Sequence, residues 1–96
     1  MSKNPPEEIL NLRNKIDKAD IKLTQLLNER AEYALEIGRI KRRMQLPVYM
    51  PDREKVVIKN VTQFNPGPLS NDAITRLYER IIDESRRLER EHSDED

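Results

Sequence analysis

Two basic side chains lie on a helical stripe that is otherwise apolar. Arg30 and Lys41 continue a series of apolar residues at steps of three and four, which is the spacing of one face of a helix. The stripe consists of Ile9, Leu12, Ile16, Ala19, Leu23, Leu26, Arg30, Ala34, Ile37 and Lys41. A cation on a face that should be buried needs an anionic partner or a route to solvent. Internal salt bridges, side chains that reach solvent at the edge of the stripe, and a bound small anion would each meet that need.

The spacing of the cations fits a bound anion. Arg30 and Lys41 are three helical turns apart, about 16 Å along the axis, so their side chains can converge on a small anion between them. Arg13 lies near the same face, but about 25 Å before Arg30 along the axis. It would reach such a ligand more easily from an antiparallel partner chain. A helix of this length also overhangs what two shorter helices can cover, so we expect a homodimer.

Polar side chains also interrupt the faces of two shorter predicted helices. Ser85 and Glu89 lie one turn apart on the inner stripe of one helix, and Arg53 and Glu54 lie in the first turn of the other. Each has an ordinary explanation, since a serine can bond its own backbone, and a glutamate near a helix end can be solvated or favoured by the helix dipole. Taken together with the cations, they predict a polar, mainly cationic cavity inside a helical bundle, suited to a small polyanion.

Other kinds of chemistry find little support in the chain. The absence of cysteine excludes disulfides and thiol chemistry, and a zinc site would have only 1 histidine to draw on. There is no Ser-His set, no catalytic carboxylate pair and no glycine-rich phosphate loop. The 18 basic and 18 acidic side chains balance, unlike the basic excess of a nucleic-acid binder. We therefore expect no metal and no nucleic-acid partner, and we interpret Arg42 and Arg43 as the solvated end of a helix.

Three helices must position these residues. The prolines at 47 and 51 and the segment Asn65–Pro68 break the helical pattern, and Ser70 is a good N-cap for the last helix. We predict a long helix over 7–44, a short helix from 51 or 52 to about 64, and a medium helix over 71–91. The expected fold is all-α, with one domain over 1–96 and disordered tails at 1–6 and 92–96. Because charged residues make up 38% and apolar residues 35%, some apolar surface is expected to be buried between subunits.

Six short strings along the chain identify a family. They are Leu12–Asp17, Leu26–Arg30, Glu36–Lys41, Pro47–Val48, Asp52–Glu54 and Ile81–Ser85. In order and spacing they resemble the all-α chorismate mutases, and the match runs from about Glu8 to Glu89. The resemblance implies three helices in an intertwined homodimer that rearranges chorismate to prephenate without a cofactor. That reaction is unimolecular, so the protein has to select a chair-like conformer and stabilise negative charge on the breaking ether oxygen.

The resemblance also implies roles for the cations and for Ser85. Arg30 and the partner subunit's Arg13 would hold the substrate carboxylates, with Ser85 assisting. Lys41 would donate to the carboxylate of the enolpyruvyl arm and to the ether oxygen. Glu54 would accept a hydrogen bond from the ring hydroxyl.

Three further positions complete the implied site. Arg53 would line the pocket, and Met50 stands where many relatives have an aspartate, at a contact made through the main chain. Glu89 stands where a glutamine commonly donates to the ether oxygen. An ionised carboxylate only accepts, so Glu89 would help when protonated. Burial would raise the pKa of Glu89 and the nearby Lys41 would lower it, and we expect activity to rise toward acidic pH.

Two other classes of function remain open. One is an enzyme of the same fold acting on a related substrate, such as an isochorismate pyruvate-lyase or an aminodeoxychorismate mutase. The other is a non-catalytic helical dimer derived from a mutase. The lyases generally lack the pattern Gly38-x-x-Lys41 with Arg53-Glu54, and a scaffold gains nothing from cations on an inner face. The sequence shows no secretory signal and no apolar run of spanning length, which predicts a cytoplasmic protein without a membrane partner.

Overall fold

The computed structural model describes residues 4–93, and this part of the chain contains three α-helices and no strand. The helices are α1 (Glu7–Arg43), α2 (Pro51–Gln63) and α3 (Asn71–Glu91). The predicted all-α class, the order of the helices and their relative lengths are confirmed. The predicted disorder of residues 1–6 and 92–96 stays a prediction, because residues 1–3 and 94–96 lie outside the described part.

The end of α1 is fixed by a pair of backbone hydrogen bonds. The amide of Leu46 donates to the carbonyl of Lys41 at 2.7 Å, and the amide of Gln45 donates to the carbonyl of Arg42 at 3.2 Å. Gln45 itself is left-handed, with φ of 59°. This is the pattern of a Schellman motif, which satisfies the last carbonyls of a helix and reverses the chain. The following loop therefore turns back toward the last turn of α1.

The starts of α2 and α3 follow from local chemistry. Pro51 occupies the first turn of α2, where its missing amide hydrogen costs nothing. Ser70 caps α3 as predicted, since its hydroxyl oxygen accepts from the amide of Ala73 at 3.1 Å. In the connection, the side chain of Asn65 donates to the carbonyl of Leu69 at 2.7 Å and accepts from the amide of Gly67 at 3.1 Å. With this turn fixed, α2 and α3 pack against each other.

Backbone contacts divide the chain into two compact units, Met1–Glu32 and Tyr33–Asp96. In the first unit the large apolar side chains of α1 are exposed. They include Ile9, Leu12, Ile16, Leu23 and Leu26. The second unit holds the end of α1 together with α2 and α3, and Ile82 is the only buried apolar side chain among the described residues. The described part of a single chain thus buries little apolar surface, in agreement with the composition. The prediction of a single domain over 1–96 stays a prediction.

Two details bear on the expectations from sequence. Phe64, at the predicted end of the short helix, follows the last residue of α2 and is 76% exposed. Within residues 4–93, no helix is both long enough and apolar enough to cross a membrane.

Candidate active site

Four residues of the second unit meet where the end of α1 approaches α3. We call them the Glu89 cluster: Gly38, Lys41, Arg42 and Glu89. A Cβ atom placed on Gly38 would lie 3.4 Å from Cγ of Glu89 and 3.5 Å from Nη1 of Arg42. Both distances are ordinary van der Waals contact, so the side chains of Arg42 and Glu89 lie against the bare backbone of Gly38. At Gly38 the carboxyl group of Glu89, on α3, thus lies close to the cationic end of α1.

The carboxyl group of Glu89 is buried and incompletely bonded. Glu89 is 8% exposed, and within the described part of the chain its Oε2 atom is buried without a hydrogen-bond partner. Burial raises the pKa of Glu89, and this is the largest effect on it. The charges of Lys41 and Arg42 act in the opposite direction, and the net result is a raised pKa. Glu89 therefore takes up a proton more readily than an exposed glutamate, and the protonated form can donate a hydrogen bond.

The ammonium group of Lys41 is oriented by the loop after α1. Lys41 is half-buried, and its Nζ donates to the carbonyl of Val48 at 3.2 Å. The reversal of the chain at Gln45 is what returns Val48 to the last turn of the helix. An ammonium group has three protons, so one is used to fix its direction and two remain for a ligand.

A second group of charges lies between α2 and α3. Nε of Arg86 lies 3.3 Å from Oε1 of Glu54, and the two side chains are only 29% and 28% exposed. Nη2 of Arg86 also donates to Oδ1 of Asp83 at 2.5 Å. The ring of Tyr49, from the loop before α2, lies 5.0 Å from the centre of the guanidinium group. We call Tyr49, Glu54, Asp83 and Arg86 the Arg86 cluster.

An open cavity of about 640 Å³ adjoins this second cluster. All four residues of the Arg86 cluster line it, together with the side chains of both helices, among them Ile58 and Ile82. Its wall combines an apolar floor with charged groups of both signs. Lys41, Ser85 and Glu89 are not part of this wall.

The remaining predicted site residues are placed as follows. The hydroxyl of Ser85, which is half-buried, donates to the carbonyl of Ile81 at 3.0 Å. This backbone bond is the ordinary interaction that the sequence left open for it. Met50 and Arg53 are exposed, at the start of α2. Arg13 and Arg30 belong to the first unit, where Arg13 is exposed and Arg30 is half-buried.

Two arginines were not among the predicted site residues. Arg42 was interpreted as part of a solvated helix end. This is wrong, because Arg42 is half-buried and its charge lowers the pKa of Glu89. Its position one turn after Gly38 places both on one face of α1, so the spacing contained the signal. Arg43 is exposed as expected. Arg86 had no such signal, since its partner Glu54 lies on another helix. The described residues include no group of three histidine, cysteine or carboxylate side chains arranged to hold a metal ion.

Comparison with known proteins gives one consistent family. The family described as "Chorismate mutase type II" matches residues 12–90. The bifunctional chorismate mutase/prephenate dehydratase of Neisseria gonorrhoeae is 37% identical over 90 residues, which cover 94% of this chain and 24% of that protein. The chain thus spans about a quarter of the length of the curated relatives it matches.

Solved structures of similar length also belong to chorismate mutases. Chorismate mutase from Thermus thermophilus (form II) has a TM-score of 0.86 and 36% identity, over 88% of this chain and 96% of that one. Chorismate mutase from Helicobacter pylori, solved in complex with prephenate, has a TM-score of 0.83 and 32% identity, over 90% of this chain and 93% of that one.

Proposed function

The chain belongs to the type II chorismate mutase family, and we propose that it catalyses the rearrangement of chorismate to prephenate. The observation that carries the proposal is the Glu89 cluster, a buried carboxyl group beside two cations at the end of α1. The Helicobacter pylori relative was solved with prephenate, the product of this reaction. The predicted cytoplasmic location stays a prediction.

The reaction asks for charge stabilisation more than for proton transfer. A carbon–oxygen bond breaks as a carbon–carbon bond forms, and negative charge grows on the ether oxygen. In our proposal Lys41 donates to that oxygen and to the adjacent carboxylate, with its direction set by the carbonyl of Val48. Protonated Glu89 supplies the second donor. One fixed donor of this kind contributes about 100-fold to 1000-fold in rate.

The other predicted residues would bind and fold the substrate. Arg30 and the partner subunit's Arg13 would hold the carboxylates, Ser85 would assist, and Glu54 would accept from the ring hydroxyl. Holding the molecule in the reactive conformer lowers the entropic part of the barrier. Arg53 and the main chain at Met50 would complete the wall of the pocket. These assignments rest on the resemblance of the residues to the family.

The exposed apolar face of the first unit supports a homodimer. Side chains such as Leu12, Ile16 and Leu26 are between 57% and 60% exposed, a costly arrangement for a chain in water. A second copy of α1, running antiparallel, would cover this face and bring its Arg13 to the site of the first chain. We therefore propose that each of the two sites in the dimer uses residues of both subunits.

The identity of the product tests the function. Purified protein is incubated separately with chorismate, isochorismate and 4-amino-4-deoxychorismate, and the products are separated by chromatography. Prephenate formed from chorismate as the fastest reaction supports the proposal. Pyruvate released from isochorismate, or rearrangement of the amino compound at a higher rate, would move the protein to a sibling activity. No turnover of any of the three by a folded dimer would leave a non-catalytic role.

Subunit mixing tests the shared site. Arg13→Ala and Lys41→Met each damage both sites of a homodimer. A mixed dimer has one site with both defects and one with neither, so refolding the two variants together should restore activity. At equal amounts about half of the dimers are mixed, which predicts about a quarter of the wild-type sites. If mixing restores nothing although mixed dimers form, Arg13 does not act across the interface.

A further inference from the structure

Arg86 is in contact with three side chains from three segments of the second unit. Its Nε faces Glu54 of α2 at 3.3 Å, its Nη2 faces Asp83 of α3 at 2.5 Å, and its flat face lies 5.0 Å from the ring of Tyr49. A guanidinium group offers donors in a rigid plane and stacks on aromatic rings with its face. All these features are used at once, so the head of Arg86 is held from several directions.

Arg86 is more buried than the arginines in the other charge pairs of α3. Arg87 pairs with Glu91 at 3.3 Å, but those side chains are 64% and 58% exposed. Such surface pairs contribute little, because water screens them and the long side chains lose entropy. The Arg86–Glu54 pair is less than a third exposed, so its charges are screened less. The contact is therefore able to fix the direction of the Glu54 carboxylate.

The geometry points to Arg86 as a positioning residue, which holds the Glu54 carboxylate in the direction needed to accept from the ring hydroxyl of the substrate. This inference rests on the proposed function, which supplies the role of Glu54. A glutamate side chain has three rotatable bonds, and one oxygen bound to Arg86 removes most of that freedom. A carboxylate has a second oxygen and further lone pairs, so the ion pair leaves it able to accept from a ligand.

The loop before α2 extends this arrangement. The carbonyl of Val48 accepts from Lys41, and the next residue, Tyr49, lies on Arg86. Two consecutive residues of one loop thus contact two charged side chains that the proposal needs in place. Tyr49 restricts Arg86, and Arg86 restricts Glu54, so Tyr49 acts on the substrate through these two side chains.

The test compares two neighbouring arginines. Arg86→Met removes the positioning group, and Arg87→Met, one residue later, removes an exposed arginine as the matched control. We expect Arg86→Met to lower kcat/KM for chorismate about tenfold, which corresponds to about 1.4 kcal/mol of lost transition-state stabilisation. Arg87→Met is expected to stay within about twofold of the wild type. Thermal unfolding of both variants checks that they are folded.

A double-mutant comparison distinguishes positioning from general support of the fold. Glu54→Gln removes the group that Arg86 positions, so Arg86→Met should cause little further loss in that background. If Arg86 supported the fold only through its contacts with Asp83 and Tyr49, the two losses would multiply. Arg86→Lys keeps the charge but loses the planar fork, and it should give a smaller loss that also disappears with Glu54→Gln. It serves as the test if Arg86→Met does not fold.

The outcomes separate the two proposals. If the wild type does not rearrange chorismate, the proposed function falls and the role of Arg86 falls with it. If the wild type is active but Arg86→Met matches Arg87→Met, only the positioning role is overturned. Losses that multiply with Glu54→Gln overturn it as well. A loss at Arg86 that vanishes in the Glu54→Gln background supports it.

Discussion

Replacing Glu89 by glutamine isolates the titration of one carboxyl group in the proposed site. Glutamine has nearly the same shape, carries no charge and donates a hydrogen bond at every pH. In the wild type only the protonated form of Glu89 donates. Because burial outweighs the charges of Lys41 and Arg42, the pKa of Glu89 lies above the ordinary value of 4.5. The wild type should therefore lose activity as the pH rises through that raised pKa, whereas Glu89→Gln should not.

The size of the effect follows from the ionisation equilibrium. Above its pKa, the protonated fraction of a carboxyl group falls about tenfold for each pH unit. The kcat/KM of the wild type should fall with that slope until the contribution of Lys41 alone remains. The kcat/KM of Glu89→Gln divided by that of the wild type should rise by up to about tenfold for each pH unit over the same range. This parameter is the one to compare, because kcat/KM reports the ionisation of groups in the unliganded enzyme.

The assay measures prephenate formation at low chorismate concentration from about pH 5 to pH 8, a range that spans raised carboxyl pKa values. Glu91→Gln is the matched control, since Glu91 is exposed, lies at the end of the same helix and pairs with Arg87. It should keep the wild-type profile. If Glu89→Gln shows the same fall with pH as the wild type, Glu89 is not the titrating group and the assignment fails.

The same substitution has a consequence for stability. A carboxyl group with a raised pKa in the folded state favours folding below its ordinary pKa, and this contribution is lost as the pH rises through the folded pKa. The buried Oε2 atom of Glu89 is unbonded in the described part of the chain, which costs about 1 kcal/mol when it is charged. At pH 8 the Glu89→Gln protein should therefore unfold about 4–8 °C higher than wild type. The difference should shrink in acid; a difference that grows in acid would contradict the raised pKa.

Two further predictions concern the last turn of α1. Arg42→Gln removes a cation that lowers the pKa of Glu89, so the fall in activity should move to higher pH. Arg43 is exposed, and Arg43→Gln should leave the fall at its wild-type pH. An unchanged pH profile for Arg42→Gln would exclude Arg42 from the Glu89 cluster. Gln45 is left-handed, with φ of 59°, a conformation that glycine adopts without strain. Gln45→Gly should therefore raise the free energy of unfolding by about 1 kcal/mol, measured by thermal or urea unfolding, whereas Gln45→Ala should give no gain.

The helices were predictable because their signals are local. Ser70 was expected as the N-cap of α3 and accepts from Ala73, and Pro51 begins α2. The predicted end of the short helix at about 64 is close to the observed one, since α2 ends at Gln63 and Phe64 is its C-cap. The apolar stripe of α1 was found from its period, but what covers it depends on a second chain.

The site was predictable only in part. The opposing effects on the pKa of Glu89 were expected, because the stripe of α3 turns Glu89 inward and the family resemblance places Lys41 nearby. The Arg86–Glu54 pair joins two helices, and such contacts depend on tertiary packing that spacing along one helix does not encode. Arg42 was missed although its distance of one turn from Gly38 was visible, since a cation at a helix end already had an adequate explanation.

The most direct test of the account is the turnover of chorismate by the wild type beside two lysine variants. Lys41→Met removes the proposed donor to the ether oxygen, and Lys22→Met removes a lysine of α1 that is exposed in the first unit. We predict prephenate from the wild type and from Lys22→Met at equal rates, and a loss of about 100-fold or more in kcat for folded Lys41→Met. Equal rates for all three proteins, or no prephenate from the wild type, would contradict it.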